Sequence, residues 1–278
     1  MALFINHNVA SQNAQRTVSG SNRSLLGSFE KVSSGLRINK AADDAAGLGV
    51  AENLNVHVRS TRVAMRNTHD GISIVQTAEG ATEEVANIIK RMRELAVQSS
   101  SEALDGTERV YLDDEFQELT DEVNRIAKKT EWNGIALTNG STTNLDIQVG
   151  VNNTINDRIS IQLGDLNHST LGISGGGPSP TGLSSVASAR VAIRRFDRAL
   201  DTINGYRSVY GATQNRLVSA VSNLETYNEN LVSAEAQIRD VDFASETAVL
   251  ARQQIIQQAG LSVLSQANSD AEGLLSLL

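Results

Sequence analysis

Four histidines, His7, His57, His69 and His168, are the side chains best suited to proton transfer or metal ligation near neutral pH. Their scattered positions show no ligand spacing, which favours solvated or seam-edge roles. Gly47 and Gly49 form a Gly-x-Gly, but no strand-like run precedes them and no phosphate-loop lysine follows, so a nucleotide site is not indicated. Residues 113–122 hold six acids in ten positions, a composition that could attract a cation. No EF-hand loop is present, however, and helical spacing would spread these carboxylates around an axis. With no cysteine in the chain, thiol catalysis, disulfides and thiolate metal sites are excluded. No nucleophile–base pattern emerges either. The reading is of a protein that is not an enzyme, with no catalytic, cofactor-binding or metal residue assigned.

A different polar feature is Arg190, Arg194, Arg195 and Arg198, four cations crowded near the start of a helical pattern. The helix dipole disfavours positive charge there. A contact with the acidic 113–122 stretch, within or between subunits, would compensate; solvation is the simpler alternative.

The elements behind these residues are long helices. Aromatic residues make up only 4% of the 278 positions, and both prolines, Pro178 and Pro180, fall in the run Gly175-Gly-Gly-Pro-Ser-Pro-Thr-Gly182. Proline removes a helical donor and clashes with the preceding turn, so this run reads as a linker between proline-free segments. From Val186, alternating steps of three and four residues reach Ile238 through sixteen positions, twelve of them apolar. A 3.5-residue repeat held this long indicates a coiled-coil seam about 80 Å long at 1.5 Å per residue. Val186, Ile193, Phe196, Leu200, Ile203, Leu217, Leu224 and Leu231 are its expected assembly-seam residues. A second long helix is predicted from Asp43 or Asp44 to about Ser100, with seams Leu54 to Val75 and Ala78 to Leu95 offset by a three-residue step. A third fits Glu108 to Lys129, acids early and lysines late. Between them, Leu145, Ile147, Val149 and Val151, and then Ile159, Ile161 and Leu163, alternate with polar residues as short strands, with Asn152-Asn153 as a turn candidate. Asn133-Gly134 and Asn139-Gly140 read as tight turns.

The two ends are unusual in another way. Residues 1–15 and 253–269 carry no formal charge with His7 neutral, and both mix Asn, Gln, Ser and Ala with apolar residues. A solvated surface helix normally carries charges, so these ends are expected to be buried by other copies of the chain. The net charge of -8 argues against general nucleic-acid binding. No run approaches the roughly twenty apolar residues of a membrane helix. Nor is there a secretory signal core near the N-terminus.

Ser33-Ser-Gly-Leu-Arg-Ile-Asn39 followed by Asp43-Asp-Ala-Ala-Gly47 resembles the N-terminal signature of bacterial flagellins. Residues 67–76, Arg91-Met-Arg-Glu-Leu-Ala-Val-Gln98 and Trp132-Asn-Gly134 continue the resemblance in order. Ile238-Arg-Asp-Val-Asp242, Gln257-Gln-Ala-Gly260 and Leu274-Leu-Ser-Leu-Leu278 are similar to the flagellin C-terminus. The resemblance implies a mainly α fold: a long antiparallel coiled-coil rod with a small β-hairpin region. Its domains would be 1–42 with 243–278 as an inner tube, 43–242 as the rod with the hairpin at about 144–164, and 165–182 as a short linker where larger flagellins carry outer domains. The expected function is the self-assembling structural subunit of the flagellar filament, with a hook–filament junction protein as the alternative. A cytoplasmic coiled-coil adaptor is a rival of another class, but it offers no reason for charge-poor ends. The resemblance further implies an extracellular homopolymer, exported by the flagellar secretion system without a cleaved signal peptide. An export chaperone, a filament cap and hook-junction proteins would be its partners, and membrane insertion is not expected. Arg91, Leu95 and Glu115 match the positions that animal innate immune receptors recognise in the family, although Lys90 replaces the glutamine common beside them.

Overall fold

The computed structural model describes residues 7–173 and 182–275, so the prolines at 178 and 180, most of the Gly/Pro run and the last three residues lie outside it. Five helices dominate: α1 (Val9–Ser34), α2 (Ala45–Ser99), α3 (Gly106–Lys129), α4 (Val186–Arg239) and α5 (Phe243–Leu275). Four short strands form two antiparallel pairs, β1 (Glu131–Trp132) with β2 (Ile135–Ala136) and β3 (Asn144–Gln148) with β4 (Arg158–Gln162). By its contacts the chain divides into two units, Met1–Val58 with Glu229–Leu278, and Arg59–Asn228.

Helix boundaries follow local chemistry. Helix α2 begins just after Asp44, whose Oδ1 accepts the Gly47 N–H at 2.9 Å, a capping role that offsets an orphan donor. Helix α3 starts two residues before the predicted Glu108. Asp105 and Glu108 form a capping box there, Asp105 N donating to Glu108 Oε2 at 3.0 Å. Ser185 precedes α4 and exchanges bonds with Ser188, each backbone N–H reaching the other hydroxyl at 3.2 Å.

The Arg59–Asn228 unit contains the apolar core. Its larger cluster joins Val85, Ile89, Met92 and Leu95 of α2, Phe116 and Val123 of α3, and Phe196 and Ile203 of α4. Phe116 and Phe196 meet with ring centroids 5.9 Å apart in a tilted pair. A second cluster sets Ile74 and Val75 against Leu137, Ile159, Ile161, Tyr210 and Leu217. All the predicted 3.5-residue positions of α4 are buried or half-buried, as are those of α2.

The small sheets fill the side of this core. In β3–β4, Leu145 pairs with Ile161 and Ile147 with Ile159, so one face is apolar throughout. Strand β3 stops at Gln148 because the Val149 and Gly150 N–H groups both turn to the Asp157 carbonyl, at 2.8 and 3.0 Å. The loop therefore runs on to a 3-10 turn at Ile155–Asp157 rather than closing tightly at Asn152-Asn153. Between β1 and β2, Asn133 (φ 47°) and Gly134 (φ 79°) are both left-handed, the two-residue turn that matches strand twist. Tyr210 is buried and its hydroxyl accepts the Gly164 N–H at 2.9 Å; burial raises its pKa.

Candidate assembly surface

The Met1–Val58 and Glu229–Leu278 unit has a different chemistry. In α1 the buried side chains are Ser11, Ala14, Ser21 and Ser28, all small, with Ala14, Ser21 and Ser28 seven residues apart. That stripe admits α5 at close range and antiparallel. Asn8 caps α1 through its Oδ1, which accepts from Ser11 N at 2.9 Å, while its Nδ2 donates to the Ala267 carbonyl at 2.9 Å. Ser21 Oγ donates to the Gln253 carbonyl at 3.3 Å, and Gln257 Nε2 donates to Asn22 Oδ1. A Cβ on Gly260 would stand 2.7 Å from Val18 Cγ2, so glycine is what permits this approach.

Small and amide side chains occupy much of the contact, and several large apolar ones are left in water. Val9, Leu26 and Phe29 of α1 are exposed, as are Phe243, Ile255, Leu261 and Val263 of α5. Among its described residues α5 buries none. Charge-poor helices that keep such bulk in water have no internal partner for it, and such a face marks an interaction surface.

The signature residues build the turn that joins these helices to the ends of α2 and α4. Gly35 ends α1 in the left-handed region (φ 73°), its N–H donating to the Lys31 carbonyl at 2.9 Å. Leu36 bridges Asp240, Arg37 N donates to the Arg239 carbonyl at 2.7 Å, and Val241 N donates to the Gly35 carbonyl at 3.0 Å. The Asp43 carboxylate accepts the Lys40 and Asn39 N–H groups at 3.0 and 3.1 Å, and these bonds hold it below the ordinary aspartate range. Ile38 is buried beneath this loop. A Cβ on Gly47 would lie 2.4 Å from Asp44 Oδ2 and 2.8 Å from Ile38 Cδ1. The Ser-Gly-Leu-Arg-Ile-Asn and Asp-Asp-Ala-Ala-Gly motifs thus have a mechanical purpose. Further along, Arg239 pairs with Glu52 at 3.2 Å and Asn55 Nδ2 donates to Glu235 Oε1 at 3.0 Å.

The other sequence-derived candidates fall elsewhere. Arg91 and Glu115 meet, with Nη2 to Oε1 at 2.8 Å and Nε to the same oxygen at 2.9 Å, whereas Leu95 beside them is 1% exposed and belongs to the core. Phe196, Ile203 and Leu217 are fully covered by their own chain; Leu224 and Leu231 are buried, and Val186, Ile193 and Leu200 half-buried. Arg190 faces Glu102 at 3.5 Å, and among the described residues no ion pair links Arg194, Arg195 or Arg198 to the acidic stretch. In that stretch Glu115 goes to Arg91, Glu122 to Arg125 at 2.6 Å, and Asp113 accepts the Leu183 N–H. Among the described residues no group of three or more His, Asp or Glu is placed to hold a metal, and no helix is long and apolar enough to cross a membrane. Sequence reading missed the small-residue stripe of α1. Its signal was the seven-residue recurrence at 14, 21 and 28, hidden because serine and alanine do not register as apolar knobs.

The model of the bacterial flagellin N-terminal helical region matches residues 5–143, and that of the C-terminal helical region matches residues 193–278. The chain belongs to the bacterial flagellins. It is 40% identical to a flagellin of Halalkalibacterium halodurans, covering 99% of this chain and 100% of that protein. It is 36% identical to a flagellin of Bacillus subtilis, with 99% of each covered. A flagellar filament 33 kDa core protein of Treponema phagedenis is 36% identical over 99% of this chain and 100% of its own length. The crystal structure of Bacillus cereus flagellin superposes with a TM-score of 0.50 at 31% identity, covering 57% of this chain and 88% of that one. A putative flagellar hook-associated protein of Vibrio parahaemolyticus shares the fold at 14% identity, with a TM-score of 0.59 over 71% of this chain and 100% of its own. In flagellin terms, the matched segments contain the signature turn, the whole of the α1–α5 pair and the bulk of the core.

Proposed function

We propose that this flagellin chain is the structural subunit of a flagellar filament, polymerising through the outer faces of α1 and α5. The observation that carries this reading is the set of large apolar side chains left in water on two charge-poor helices, with Ile255, Ile256, Leu261 and Val263 all in the stretch 253–269 that carries no formal charge. Copies of the chain supply the missing cover: a head-to-tail contact between two different patches, repeated by one operator that does not close, generates a helical polymer. Residues 1–42 with 243–278 would then line the inside of the filament and 43–242 the shell around it. The seam from Val186 to Leu231 is read as the brace of each subunit, keeping it stiff enough to pass torque along a propeller. Full-length likeness to flagellins and filament core proteins supports a filament subunit over a hook-junction protein.

The finer readings follow from this one. The filament is extracellular, and its subunits leave the cell through the flagellar secretion channel with a chaperone on the exposed C-terminal helix, then assemble beneath a cap and beyond the hook junction. Strand β4 ends at Gln162 and α4 begins at Val186, and so short an interval supports a filament without large outer domains. Innate-receptor recognition at Arg91, Leu95 and Glu115 would rest on the Arg91–Glu115 pair, with Leu95 acting from beneath as packing. Electron microscopy of purified protein polymerised at high salt tests the central claim. Long, smooth filaments are expected; discrete dimers or short rings would overturn it in favour of a junction protein.

A further inference from the structure

Three Asn-Gly pairs occur in the chain, Asn133-Gly134, Asn139-Gly140 and Asn204-Gly205. Each has the same intrinsic chemistry. The amide nitrogen of the glycine, once it gives up its proton to water, can attack the asparagine Cγ. The new N–Cγ bond forms, the Cγ–Nδ2 bond breaks, and ammonia leaves. Water then opens the resulting imide at either carbonyl, giving aspartate or, with the main chain rerouted through the side chain, isoaspartate. Glycine favours the reaction because no Cβ hinders the approach. What differs among the three is the fold around them.

Asn204 and Gly205 lie inside α4, where helical geometry commits the Gly205 N–H to a backbone carbonyl and fixes the dihedrals that attack must change. Asn139 is half-buried and engaged: its Oδ1 accepts Ser141 N at 3.0 Å and Ser141 Oγ at 2.6 Å, while its carbonyl accepts Asn167 Nδ2 at 2.7 Å. Gly140 beside it packs against Asp165, where a Cβ would stand 2.6 Å from Oδ2. Asn133 has none of these restraints. Both it and Gly134 are exposed, and among the described residues no atom lies within 4 Å of where a Gly134 Cβ would be and the Asn133 amide makes no hydrogen bond. The strands that hold this turn are two residues each, so opening the tip disturbs little.

We propose that Asn133 is a spontaneous deamidation and isoaspartate-forming site of the folded subunit, selected by the fold from three pairs of equal intrinsic chemistry. The consequence is structural. A two-residue turn with both φ positive sets Trp132 opposite Ile135, and isoaspartate adds a methylene to the main chain at that turn. Trp132 is the sole tryptophan and is half-buried against the second core cluster, so its packing reports the event.

The test incubates the full chain in mildly alkaline buffer, with and without urea, and follows each peptide by mass spectrometry with isoaspartate-specific fragmentation. In the folded chain Asn133 is expected to convert at least about tenfold faster than Asn139 or Asn204, and in urea the three rates should fall within about threefold. A smaller advantage in the folded chain overturns the proposal, as does an advantage that persists unchanged in urea. Asn133→Gly preserves the turn preference and removes the amide. In that variant the slow red shift of Trp132 emission should vanish, and a shift at the parental rate would show that the turn is not its source.

Discussion

Ile255 offers the most direct way to separate assembly from folding. It sits on α5, is 68% exposed in the isolated subunit, and touches none of the clustered core. Complete burial of an isoleucine side chain is worth about 1.5–3 kcal/mol. The two thirds still in water therefore hold about 1–2 kcal/mol that only another subunit can claim. Ile255→Gln removes most of that apolar surface while keeping a residue of equal or better helix propensity. At about 1.4 kcal/mol per tenfold, the critical concentration for polymerisation should rise roughly 5- to 30-fold. Seeded polymerisation followed by sedimentation of the remaining monomer gives that concentration directly. The thermal midpoint of the unpolymerised chain should stay where it was, because nothing internal was removed. A critical concentration within about twofold of the parent would refute the reasoning, since a side chain buried by assembly cannot be exchanged so freely. A clear loss of monomer stability would refute it differently, by placing Ile255 in an internal core.

Other substitutions should act on folding instead. Phe196→Ala empties a site 1% exposed beside Phe116 and should destabilise the Arg59–Asn228 unit by about 3–5 kcal/mol in a denaturant titration of the full chain. Gly47→Ala forces a methyl against the Asp44 carboxylate and Ile38; we expect a loss of about 1–3 kcal/mol, seen as faster hydrogen exchange confined to residues 36–50. The Asp43 carboxyl is held below its ordinary range, so its contribution is present above its unfolded pKa and is lost as pH falls through the folded value. The Asn39 and Lys40 amide resonances should shift in that acid window and cease to do so in Asp43→Ala.

Much of the architecture was open to inspection in the sequence, because long helices write their packing as a period. The 3.5-residue seams of α2 and α4 reappear as buried or half-buried positions, and the capping residues place the helix starts to within two or three residues. The signature motifs showed where to look near residues 33–47 without showing why. Only the folded turn reveals that Gly35 ends a helix left-handed, that Asp43 accepts two amides, and that Gly47 leaves room for Ile38. Leu95 illustrates the limit from another side: its spacing marks a seam, but whether a seam residue faces its own chain or a neighbour depends on which helices come together.

The charge-poor ends show the same division. Their sequence determines that they are poor surfaces for water, since neither 1–15 nor 253–269 carries a formal charge. Which side of each helix is satisfied within the subunit was decided by tertiary packing. Serine, alanine and glycine let α1 and α5 approach closely, and that choice turns Leu26, Phe29, Ile255 and Val263 outward. Periodicity is a local property and survives in the sequence. The pairing of two faces more than two hundred residues apart is not local, because many arrangements share one pattern and only the summed contact energy selects among them.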